Sequence, residues 1–159
     1  MEWVEALGGR TVGLDTAPLI YFIEEHPTYL PVVRGFFEAA DRGIFKIVTS
    51  VLTLTEVLVH PLRAGNHELA GQYRRILLEA RNISTLPVSE AIAERAAGLR
   101  VQFGLRTPDA IQLATAIDGG APRDLLRMTL VCPVCQLWAP LFSTVCYNPE
   151  SQPRQMLSL

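Results

Sequence analysis

The sequence predicts an α/β protein with a parallel sheet covered by helices. Three observations carry this. Thr11–Leu14, Ile44–Thr49 and Ile83–Val88 are short runs rich in apolar or β-branched residues, the signature of buried strands. Each run is followed by two stretches of helical periodicity. Strands that alternate with helices pair in parallel and are covered by those helices. The chain has 159 residues, 49% of them apolar and 19% charged, which fits one globular domain with a real core.

The elements follow in order. After Thr11–Leu14 come Asp15 and Thr16, then Pro18, which is tolerated in a first helical turn because its missing N–H has no intrahelical partner there. Leu19, Ile20, Phe22 and Ile23 give that helix an apolar face, and Pro27 is expected to stop it. Pro31–Arg42 repeats the helical spacing through Val32, Val33, Phe36, Phe37 and Ala40, with Gly43 as its stop. Ser50 is expected to cap a helix from Val51 to His60, ended by Pro61, and Asn66 to cap the next, to about Arg81. Ser89 caps a helix whose expected buried stripe is Ile92, Ala93, Ala96, Ala97 and Leu99, with Gly104 at its end. Thr107 is a candidate cap for the last clear helix, which is apolar on nearly every side and stops at Gly119-Gly120.

Net charge is −2 and Lys46 is the only lysine, so there is no global basic field of the kind that advertises avid nucleic-acid binding. Met1–Arg10 lacks the apolar run of a signal peptide, and Met128–Phe142 is too short and too broken by Pro133, Gln136 and Pro140 to span a bilayer. A cytoplasmic location is the expectation. Cys132 and Cys135 have the spacing of a zinc knuckle or redox pair. With only Cys146 nearby and no later histidine, unpaired buried thiols are the simpler reading.

Three acidic residues stand out. Asp15 lies where a strand hands over to a helix, at the carboxyl edge where α/β sheets bind ligands. Glu56 lies within a mostly apolar helix, and Asp109 in the first turn of another. Each has an ordinary explanation: Asp15 as a helix cap, Glu56 as a partner of His60 four residues on, Asp109 as a partner of the helix dipole. Together they suggest more. Buried carboxylates repel one another unless a cation binds them, and Mg²⁺ or Mn²⁺ prefers oxygen ligands. Such a site can stabilise charge in phosphodiester hydrolysis.

The stretches GLDTAPLIY from Gly13, TSVLTLTEVL from Thr49 and TPDAIQLATA from Thr107 resemble the PIN-domain family, in particular its VapC-type toxin ribonucleases. The likeness runs from about Arg10 to Ala121 and implies a PIN-like domain over residues 1–121, followed by an atypical tail. It implies a three-layer αβα sandwich, metal-dependent cleavage of single-stranded RNA, and Asp15, Glu56 and Asp109 as ligands of Mg²⁺ or Mn²⁺. Thr16 matches a small hydroxyl residue beside the first of these, placed to orient a ligand. Candidate RNA contacts are Arg63, Arg74, Arg75 and Arg106. A small antitoxin protein and a second copy of the chain in a homodimer are the implied partners.

Residues 122–159 depart from that pattern. The family places a strand and then a further acidic residue after the Asp109-type helix; here Asp118 comes too early, and Asp124 has no convincing strand before it. The Pro-, Cys- and Arg-containing tail reads like translation in a shifted frame, and it is expected to pack poorly. Two other readings remain in view. One is a PIN-like remnant that only dimerises or binds an antitoxin. The other is a haloacid-dehalogenase-like phosphatase, disfavoured because Ala17 stands where a second Asp is needed.

Overall fold

The computed structural model describes residues 2–121, with side chains from Val4 onward. The atypical tail and its three cysteines lie outside the described residues. The architecture is α/β: a three-layer αβα sandwich on a parallel sheet of strands β1 (Thr11–Gly13), β2 (Lys46–Ser50) and β3 (Ile83–Leu86), ordered β1-β2-β3. The register sets Val12 beside Ile47, and Gly13 beside Val48. Alternation along each strand then sends Val12 and Ile47 to one face, and Gly13 and Val48 to the other.

Five helices build the first face: α1 (Glu2–Glu5), α2 (Thr16–Ile23), α3 (Leu30–Asp41), α4 (Val51–Arg63) and α5 (His67–Glu79). Leu19, Val33, Phe37, Phe45, Tyr73 and Leu77 meet Val12 and Ile47 in the main core. The second face is covered by α7 (Thr107–Asp118), with α6 (Glu90–Phe103) packed on it. Ala116 reaches Val48, while Ile92 and Ala96 meet Ala110 and Ala114. The helix α7 therefore packs on both sheet and helix, as its all-round apolarity predicts. No helix among the described residues is long and apolar enough to cross a membrane.

Several boundaries differ from expectation, each for a local reason. Helix α1 has no counterpart in the sequence reading; four residues carry too little periodicity to reveal it. Strand β2 starts at Lys46 because Ile44 closes the turn out of α3, its N–H on the Ala39 carbonyl and its own carbonyl taking the Gly9 N–H. Strand β3 stops before Pro87, which has no N–H to give a ladder. Pro61 does not end α4. The helix runs on to Arg63 with Pro61 buried, and the backbone beyond it stays paired, Ala64 N–H to His60 and Asn66 N–H to Pro61. Helix α2 ends at Ile23, with Glu25 in the left-handed region (φ 51°) just after the cap and Pro27 two residues further.

Helix α6 buries a narrower seam than the predicted stripe. Ile92 and Ala96 are buried and Leu99 half-buried, but Ala93 and Ala97 face solvent, because α7 is the main neighbour α6 packs against. At the start of α7, Thr107 is already helical and Arg106 takes the cap position with extended backbone and no side-chain cap bond. The caps at Ser50, Asn66 and Ser89 accept backbone N–H bonds from Leu52, Leu69 and Ile92, and Gly104 closes α6 at φ 66°.

Candidate active site

Strands β1 and β2 both hand over to helices at the carboxyl edge of the sheet, and α7 begins there. Asp15 sits at the first handover, in the N-cap position of α2. Its side chain makes no cap bond to the helix, so capping does not explain it. Asp15 is open to solvent, yet burial is the strongest influence on its carboxyl and raises its pKa. The residue as a whole is accessible, while the protein packed around its carboxyl withholds water from the charge. The Thr16 backbone N–H opposes the rise; the charges of Glu56 and then Asp109 add to it, and Arg106 opposes it weakly. All three carboxylates thus share one electrostatic field.

Each of the other two is held by a neighbour. The Thr16 hydroxyl donates to Glu56 Oε2 across 40 residues of sequence, so Thr16 orients Glu56 directly. No ion pair joins Glu56 to His60 among the described residues. Asp109 faces Arg106, whose Nε lies 2.9 Å from Oδ2 and whose Nη2 lies 3.5 Å from Oδ1. The Asp109 hydrogen bond and charge raise the Arg106 pKa, with smaller pulls from Asp15 and Glu56. Of the four candidate arginines, Arg106 is the one whose charge is felt at Asp15.

Beneath the acidic residues runs a polar network that the sequence reading missed. Thr49 Oγ1 donates to the carbonyl of Leu14, the residue before Asp15, at 2.9 Å, and lies 2.9 Å from Thr53 Oγ1. Gln112 Nε2 donates to Thr53 Oγ1, and Gln112 Oε1 accepts the Ser50 N–H at 3.3 Å. Thr53 is one helical turn before Glu56, and Gln112 one turn after Asp109. Gln112 therefore ties α7 to the β2–α4 junction, between the turns that carry Asp109 and Glu56. The available signal was a glutamine in the midst of an apolar helix, three residues from Asp109 and so on the same face. Gln112→Ala should destabilise the protein by about 1 kcal/mol, since it strands the Ser50 N–H while water can reach the half-buried gap. Thermal melting checks this.

The donor set fits a hard divalent cation in kind. It is all oxygen, and its members push Asp15 toward the neutral form, a repulsion that a cation would relieve. Among the described residues no three His, Cys, Asp or Glu side chains stand in a closed ligand cluster. Asp109 is turned to Arg106 and Glu56 to Thr16.

Fold and site together define an αβα-sandwich protein with an acidic constellation at the carboxyl edge of a parallel sheet. The PIN domain family model matches residues 12–126, and the chain belongs to that family, whose members are generally nucleases. No curated protein and no solved structure matches the chain.

Proposed function

We propose that the protein is a Mg²⁺- or Mn²⁺-dependent endoribonuclease that cleaves single-stranded RNA, as the toxin of a toxin–antitoxin pair. The observation that carries the metal-dependent reading is the shared field at Asp15, where burial and the Glu56 and Asp109 charges all disfavour the carboxylate. Asp15, Glu56 and Asp109 would hold the cation. When bound, it supplies stabilisation of negative charge on the scissile phosphate. Thr16 keeps one Glu56 oxygen in place, and Gln112 ties the start of α7, which carries Asp109, to the junction of β2 and α4. Arg106 offers a guanidinium at the rim, where a phosphate of the substrate would lie. RNA as substrate, an antitoxin partner, a homodimer and a cytoplasmic location rest on the family resemblance.

A second reading, a remnant without turnover, is favoured by the absence of a closed ligand cluster among the described residues. One experiment separates the two. Incubating the full chain with single-stranded RNA and Mn²⁺ should give cleavage that EDTA abolishes and Glu56→Gln removes. Intact RNA, together with no detectable Mn²⁺ binding, would leave the remnant.

A further inference from the structure

Arg106 and Asp109 form an ion pair three residues apart at the start of α7, with the guanidinium reaching both carboxylate oxygens. Its setting is unlike that of Arg95 and Asp118, which join α6 to the far end of α7 at 3.9 Å with no hydrogen bond between them. The Arg95 contact lies at the opposite end of α7 from the acidic residues. The Arg106 contact lies among them.

A guanidinium on a carboxylate takes one lone pair of each oxygen and sets a positive charge on the face a cation would use, so the cation must compete with it. The Asp109 carboxylate is also the more sheltered partner, with side-chain exposure of 31% against 74% for Arg106. The arginine can swing into solvent, whereas Asp109 is fixed on its helix.

We propose that Arg106 is a resident counter-ion of the acidic site, occupying Asp109 until a divalent cation displaces it, and so sets the affinity for that cation. This rests on the metal-dependent reading above. It accounts for why three carboxylates that share one field stand without a closed ligand cluster: a positive side chain from the same chain already neutralises one of them. The fork of the guanidinium is essential to the idea. A lysine would keep the charge but could not span both oxygens.

The test is Mn²⁺ binding to the full chain, followed by electron paramagnetic resonance of the free ion and by melting with and without Mn²⁺. Arg106→Gln should tighten Mn²⁺ binding about two- to fivefold, the range an exposed ion pair supports. It should also enlarge the Mn²⁺-induced rise in melting temperature. Arg106→Lys should fall between Arg106→Gln and the native protein. Arg95→Gln, which removes the same charge from the far end of α7, should leave binding unchanged. Equal or weaker binding by Arg106→Gln overturns the proposal while leaving the metal site intact. An Arg106→Lys affinity equal to that of the native protein also overturns it, because charge alone would then suffice. If neither the native protein nor Arg106→Gln binds Mn²⁺, this proposal and the metal-dependent reading fall together.

Discussion

Asp15→Asn should abolish Mn²⁺ binding at the carboxyl edge and lower RNA cleavage by about two to four orders of magnitude, the range that several kcal/mol of lost charge stabilisation implies. The same substitution should make the metal-free protein more stable. Burial raises the Asp15 pKa above its ordinary value of 3.8, and Glu56 and Asp109 add to the rise. A carboxyl with a raised folded-state pKa holds its proton in the folded chain after the unfolded chain has released it. Its contribution to stability therefore falls as pH climbs from 3.8 through the folded value, and the full penalty applies above that value. Asn removes this penalty. Melting of the metal-free proteins should show Asp15→Asn above native at neutral pH, with the gap closing as the pH is lowered toward 3.8. A mutant that melts below native at neutral pH, with its Mn²⁺ response unchanged, would make Asp15 a purely structural residue.

Gly119→Ala should destabilise the protein by about 1–3 kcal/mol through overpacking. A Cβ at position 119 would stand 2.5 Å from Val48 Cγ2 and 3.1 Å from both Val48 Cβ and Cγ1. Rotating the valine does not relieve this, because its Cβ is fixed to β2 and its χ1 is stiff. The Gly119 backbone, with φ −74° and ψ 4°, is open to any residue, so the clash rather than conformation requires glycine. For a chain of this length the melting temperature should fall by about 2–4 °C per kcal/mol. The double substitution Gly119→Ala with Val48→Ala provides the control. If the clash is the cause, alanine at 119 should cost much less in the Val48→Ala background than in the native one. An undiminished cost would remove Val48 from the explanation.

Gly119 shows how far local signals reach. In the sequence it reads, with Gly120, as a helix stop; in the fold it is the cap of α7 and lies hard against Val48 of the sheet. Pro61 shows the converse. Locally it is a breaker, yet a buried position and paired backbone on both sides carry α4 past it. Thr16 was legible as a hydroxyl beside an acidic residue, but its partner is Glu56, which no spacing rule could have selected.

What the sequence determined by itself is the order of elements from β1 to α7 and several of their ends. Strand runs, helical periodicity, the caps at Ser50, Asn66 and Ser89, and the left-handed Gly104 are settled by forces acting within a few residues. The same local logic placed Asp15 at the end of β1 and Asp109 in the first turn of α7. The tertiary structure alone decided that Thr16 holds Glu56, that Gln112 bridges Ser50 and Thr53, and that Arg106 reaches the field of Asp15. These contacts exist because parallel pairing of β1 with β2 brings the starts of α2 and α4 to one edge, and α7 packs against both strands with its own start there. Their partners lie tens of residues apart, beyond the reach of any pattern confined to neighbours in the chain.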